Sequence, residues 1–147
     1  MIAKRTFWFV LLLLSFVLVA CGGGEAETAV SEPVNSAAVE AIDATILPDE
    51  ISVETVHQIQ GQDDVFVIDV REQSEYDEWH IPDLTLMPMS TFEQHMTELP
   101  KDKEIIVTCN SGNRSGQVTN FLLQNGYNAH NMKGGIQAWE SAGYEIE

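Results

Sequence analysis

From Glu50 onward, short apolar runs alternate with segments of helical spacing, and this alternation most narrows what the chain can fold into. Val65 to Asp69, Thr85 to Met87, Ile105 to Thr108 and Ala129 to Met132 read as strands. Between them, Ser52 followed by Val53, Val56 and Ile59 predicts a capped first helix, and Glu72 to Trp79 a short one with Tyr76 and Trp79 on one side. Ser90-Thr91-Phe92-Glu93 reads as a capping box opening a helix with Phe92, Met96 and Leu99 on its inner face. Val118, Phe121 and Leu122 mark a helix ending at the cap pair Asn125-Gly126, and Ile136 with Trp139 marks the last. Strands separated by helices indicate an α/β fold with a parallel sheet. The stretch from Asp49 to Glu147 suffices for one domain with one core, and it contains no internal repeat.

The loop Cys109-Asn110-Ser111-Gly112-Asn113-Arg114-Ser115 lies between a predicted strand and a predicted helix, where open α/β sheets bind ligands. Backbone N–H groups of such a loop can point inward as a nest, and the helix start adds positive potential. That setting favours a thiolate, the nucleophilic form of cysteine. Gly112 supplies a residue that tolerates positive φ, and Arg114 a fixed cation with a planar fork of donors.

Cys109-x-x-Gly112-x-Arg114-Ser115 resembles the active-site loop of the rhodanese-like sulfurtransferases. Val67-Ile68-Asp69-Val70-Arg71-Glu72, with Glu75-Tyr76 and His80-Ile81-Pro82, resembles that family's first signature. Met132-Lys133-Gly134-Gly135-Ile136, with Ala138-Trp139 and Gly143-Tyr144, resembles its closing one. The three motifs stand in the family's order between Ile51 and Glu147. Two positions depart from the pattern. Asp83-Leu84 follows Pro82 where the family often has Gly-Ala, and Asn110 stands where many members carry a basic residue. The second departure leaves Arg114 as the loop's only charge.

The resemblance implies a rhodanese-like α/β fold, with a central parallel sheet of about five strands and helices on both faces. It implies a sulfurtransferase without a cofactor, in which Cys109 takes sulfane sulfur from thiosulfate or a small persulfide. The sulfur is held as a persulfide by the loop Asn110, Ser111, Gly112, Asn113, Arg114 and Ser115, and then passes to a thiophilic acceptor such as cyanide, sulfite or a thiol. Asp69 and Arg71 are expected to brace the loops through charge-assisted hydrogen bonds. Cysteine-dependent phosphatases of the same fold carry one residue more between the Cys and the Arg, a cradle wide enough for a phosphoryl group. The shorter loop here makes phosphatase or arsenate reductase chemistry the lesser alternative. A surface-displayed binding module with an idle Cys109 is another, and it would have no need of Cys109, Gly112 and Arg114 together.

Lys4 and Arg5 precede an apolar stretch from Phe7 to Ala20, too short to span a bilayer comfortably and fitting the core of a signal peptide, with an uncleaved anchor helix starting near Met1 as the alternative. Leu18-Val19-Ala20-Cys21 resembles the bacterial lipoprotein lipobox, which implies cleavage before Cys21, lipid on its sulfur, and a location outside the cytoplasm on a membrane. The expected division is residues 1–20 as signal peptide, 21–48 as lipidated Cys21 and acidic disordered tether, and 49–147 as the rhodanese-like domain. The end of the tether, Ala37 to Leu47, has enough Ala, Val and Ile to form a transient helix or dock on the domain.

Cleavage with lipidation of Cys21 would leave Cys109 as the one free thiol, and the chain has no Cys-x-x-Cys, so dithiol chemistry is not supported. It would also leave five basic side chains against 23 acidic ones, a charge of −18 that repels nucleic acid and anionic lipid. His57, His80, His95 and His130 show no ligand spacing, so no metal site is expected. His80 is expected to be a turn residue, and Tyr76 and Trp139 core or rim residues.

Overall fold

The computed structural model describes residues 42–147. The expected signal peptide, Cys21 and most of the tether lie outside the described residues.

Five parallel strands form one sheet: β1 Glu50–Ile51, β2 Val65–Asp69, β3 Thr85–Leu86, β4 Glu104–Thr108 and β5 Asn128–Met132. Their order across the sheet is β1-β5-β4-β2-β3. Five helices connect or follow them: α1 Val53–Ile59, α2 Gln73–Glu78, α3 Phe92–His95, α4 Asn113–Gln124 and α5 Gly135–Ser141.

Strand alternation divides the core into two halves, one on each face of the sheet. Val65, Val67 and Ile106 pack with Val53, Val56, Ile59, Ile136 and Trp139 of α1 and α5. Ile68, Ile105 and Val107 pack on the other face with Phe92, Val118 and Leu122 of α3 and α4. Ile68, Ile105, Ile106 and Val107 are fully buried. Each such side chain contributes roughly 1.5–3 kcal/mol by leaving water. β4, covered on both faces and paired on both edges, is therefore a rigid base for the loop that follows it.

After β2 the chain moves outward to β3, and after β4 it moves the other way to β5. The connections diverge above the carboxyl ends of β2 and β4, opening a crevice there. Val70 and Arg71 leave β2 on one side of it, and Cys109 leaves β4 on the other.

Two local features differ from expectation, and a third, the end of the tether, packs on the domain as its composition allowed. Ser90 does not cap α3. That helix starts at Thr91 without a side-chain cap, and the Ser90 hydroxyl donates to Glu72 Oε2 at 2.8 Å. The capping box belongs to α2, where Glu72 and Glu75 satisfy each other's backbone N–H groups. β1, only two residues long, carries no readable period, yet it pairs with Asn131 and Met132 of β5. Packing also begins before Asp49. Ala44 is buried in a 3₁₀ turn, Ala44–Ile46, capped by Asp43, and Ile42 and Leu47 pack on the α1–α5 half of the core.

Candidate active site

Cys109 is buried at the end of β4, with its sulfur facing the start of α4. Gly112 N–H donates to Sγ at 3.2 Å, and the Ser115 hydroxyl lies 3.4 Å from it. Gly112 reaches this position at φ 90°, a conformation that glycine adopts without a Cβ penalty. A Cβ at Gly112 would also press on Gly134 N at 3.0 Å. Burial of the thiol works against ionisation. Hydrogen bonds from the Ser115 hydroxyl and the N–H groups of Ser115, Ser111 and Gly112 outweigh it, so the pKa of Cys109 falls below the ordinary thiol value.

The loop faces its N–H groups inward because its carbonyls are held from outside. Cys109 O accepts from Ile136 N at 2.8 Å, and Asn110 O from Gln137 N at 3.1 Å. Both donors belong to the first turn of α5, where N–H groups have no intrahelical partner. Gly135, at φ 60°, permits the approach, since a Cβ there would overlap Cys109 O. Asn113 begins α4 and is exposed, its carbonyl accepting from the Gln117 side chain at 3.5 Å.

Ser115 is positioned by a residue that the sequence did not single out. Its hydroxyl donates to Asn131 Oδ1 at 2.7 Å, while Asn131 Nδ2 donates to Gly112 O at 3.2 Å. One amide on β5 thus ties the hydroxyl and the glycine turn together. A hydroxyl has a single proton, so Ser115 donates to Asn131 when Cys109 is a thiol and is free to turn to the sulfur when it is a thiolate.

Asp69 and Arg71 form a buried pair on the β2 side of the crevice. Arg71 Nε donates to Asp69 Oδ2 at 2.8 Å, and Arg71 N–H to Asp69 Oδ1 at 2.9 Å. The guanidinium continues to the carbonyls of Glu75 at 3.2 Å and Trp79 at 2.8 Å, closing the end of α2. Burial pushes the Asp69 carboxyl above its usual range, and the bonds from Arg71 oppose that shift.

Arg114, the loop's only charged side chain, is paired with Glu75 of α2. Its two terminal nitrogens donate to the two carboxylate oxygens of Glu75, each at 2.6 Å. The pair is about one-third exposed. Thirty-nine positions separate the partners, and only the fold brings α2 against α4. His80 accepts a turn role, with Nδ1 3.0 Å from Tyr76 O and its ring stacked on Tyr76. Trp139 is buried, its ring N–H donating to Glu145 O at 2.9 Å.

The family model described as Rhodanese-like domain matches residues 52–142. A protein named Sulfurtransferase from Allochromatium vinosum is 37% identical over 99 residues, covering 66% of this chain and 92% of that protein. A thiosulfate sulfurtransferase of Pseudoalteromonas translucida is 29% identical over 93 residues, 63% of this chain and 89% of that protein. The crystal structure of a rhodanese-related protein from Thermoplasma volcanium superimposes with a TM-score of 0.62 at 31% identity, covering 68% of this chain and 98% of that one. With the sheet order, the cysteine loop and the matched span in agreement, the chain belongs to the rhodanese-like domain family.

Proposed function

We propose that the protein is a membrane-tethered, extracytoplasmic sulfurtransferase that moves sulfane sulfur from thiosulfate or a persulfide to a thiophilic acceptor through a persulfide on Cys109. The observation that carries this reading is the set of donors, from Ser111, Gly112 and Ser115, gathered on one buried cysteine sulfur. Relatives named sulfurtransferase support sulfur transfer in general.

Cys109 thiolate attacks the outer sulfur of the donor. A bond forms between Sγ and that sulfur, and the donor's own sulfur–sulfur bond breaks. Thiosulfate leaves as sulfite. A persulfide leaves as a thiolate and takes the proton that its outer sulfur has lost. The negative charge now sits on the terminal sulfur of the Cys109 persulfide. The loop's N–H groups stabilise it there as an oxyanion hole stabilises oxygen. An acceptor nucleophile then attacks that sulfur, and the thiolate of Cys109 returns. Asp69 and Arg71 do not touch the sulfur. They brace α2 and the crevice wall. The phosphatase alternative is weakened by the short loop and by Glu75, which occupies the guanidinium that an incoming phosphate would need.

Mass spectrometry of the purified protein after incubation with a donor tests the chemistry. One added sulfur on Cys109, absent in Cys109→Ser, is expected. A wild-type protein that gains none from any donor would favour the binding-module alternative. Tethering rests on Leu18-Val19-Ala20-Cys21. Cys21→Ala should block lipidation and leave an unprocessed chain in soluble form or held by its apolar segment. Wild-type protein with an intact Met1 end and no acyl group would refute the anchor.

A further inference from the structure

We propose that Glu75 determines donor specificity: by cancelling the charge of Arg114, it turns the site toward persulfides, which leave as thiols, and away from thiosulfate, which leaves as sulfite. The proposal rests on the sulfurtransferase reading and names the donor class for that site.

Arg114 is the only cation in the loop from Cys109 to Ser115. Glu75 engages it in the side-by-side geometry with two short bonds that makes carboxylate–guanidinium pairs strongest. Exposed ion pairs are commonly loose. This one is held at its acidic end. Glu75 Oε2 also accepts from Glu72 N at 3.2 Å, and the Glu75 carbonyl is fixed by Arg71, itself locked on Asp69. The two bonds from Arg114 hold the Glu75 carboxyl at about pKa 2, so it stays charged throughout any working range.

Other cations leave the loop unsupplied. Among the described residues, Arg71 is committed to Asp69. Lys101 and Lys103 precede β4 at the opposite edge of the sheet, with Lys101 placed over the Tyr127 ring. Lys133, exposed just beyond β5 at the same edge as the loop, forms no ion pair or side-chain hydrogen bond with it. What remains at Cys109 is a ring of backbone dipoles, which suits one sulfur anion.

The two donor classes ask for different things. Thiosulfate arrives with two negative charges, and its departing sulfite keeps both, so the reaction places three negative charges around Cys109 in every state. A persulfide attacked at its outer sulfur releases a thiolate that takes up the proton and departs neutral. Only the first requires a free cation where the leaving group sits. Coulomb attraction at contact distance is worth enough near a protein surface for one charge to govern the choice.

The experiment is a comparison of kcat/KM for thiosulfate and for cysteine persulfide in the full-length protein and its variants. The wild type is expected to favour cysteine persulfide by at least roughly tenfold. Glu75→Gln keeps an acceptor for the Glu72 N–H but frees Arg114. It should raise the thiosulfate-to-persulfide ratio by roughly tenfold. Glu75→Gln combined with Arg114→Gln should return the ratio toward that of the wild type. A wild type that prefers thiosulfate, or a ratio that Glu75→Gln leaves unchanged or lowers, would overturn the proposal while sulfur transfer itself stands. The wild-type measurement is decisive even if a variant fails to fold. No sulfur on Cys109 from either donor would overturn both this inference and the sulfurtransferase reading.

Discussion

Two strand-to-helix loops stand side by side at the carboxyl edge of the sheet, one between β4 and α4 and one between β5 and α5. Both leave a buried strand, turn through a left-handed glycine and start a helix, with Gly112 at φ 90° and Gly134 at φ 79°. Their N–H groups go to different places. The first loop aims them at its own cysteine sulfur. The second spends them on the carbonyls of Cys109 and Asn110. A nest of donors is therefore not by itself a site. The second loop acts as a clamp that keeps the first one's carbonyls turned out, and the proposed sulfur chemistry sits where the donors converge on the cysteine.

The largest expected effect comes from removing the sulfur that the first loop surrounds. Cys109→Ser should lower sulfur transfer by at least roughly a thousandfold, because a hydroxyl is far less acidic and carries no persulfide. Its circular dichroism spectrum should match that of the wild type. Substantial residual turnover in the pure variant would separate the loop from the chemistry.

Disturbing the clamp should come next. Gly135→Ala places a methyl group against Cys109 O at a backbone conformation that alanine adopts only with strain. A cost of roughly 1–3 kcal/mol in stability is expected, and displacement of the loop should reduce transfer by roughly a hundredfold. Denaturant melts and steady-state rates check the two parts. A stable, fully active Gly135→Ala protein would mean that the second loop does not position the first.

A smaller effect is expected from Ser115→Ala. It removes one donor from Cys109 and the partner of Asn131, which should raise the thiol pKa and cost roughly tenfold in rate at neutral pH. If the pH profile of cysteine alkylation did not move, the hydroxyl would be a packing group only.

The smallest effect concerns the rim. Glu75 has its pKa depressed in the folded state, to about 2 from 4.5. An acid of that kind contributes stability above its unfolded value, and the contribution is lost as pH falls from about 4.5 toward 2. Wild-type Tm should therefore fall over that window more steeply than that of Glu75→Gln. The difference should be modest, because the pair is one-third exposed and screened. Parallel acid profiles would show that the pair adds nothing to stability.

Much of the molecule was legible in the chain because its signals are local. The apolar runs at Val65 to Asp69 and Ile105 to Thr108 are strands, and Asn125-Gly126 ends α4. Cys109, Gly112 and Ser115 announced their neighbourhood by sitting together. What stayed hidden depends on distant partners. The pairing of Arg114 with Glu75 joins two helices, and Asn131 reaches Ser115 only because β5 lies beside β4. Ser90 looked like a cap by spacing, but Glu72 offered its hydroxyl a carboxylate at short range. β1 is too short for any periodicity, and its pairing is fixed by the register of β5.

The gathering of donors on Cys109 Sγ is tested most directly by the pH dependence of its alkylation rate in the full-length protein. The donors from Ser115, Ser111 and Gly112 predict a midpoint below the ordinary thiol value in spite of burial. A midpoint at or above that value would contradict it, because burial alone would then govern the sulfur and the loop would not activate it.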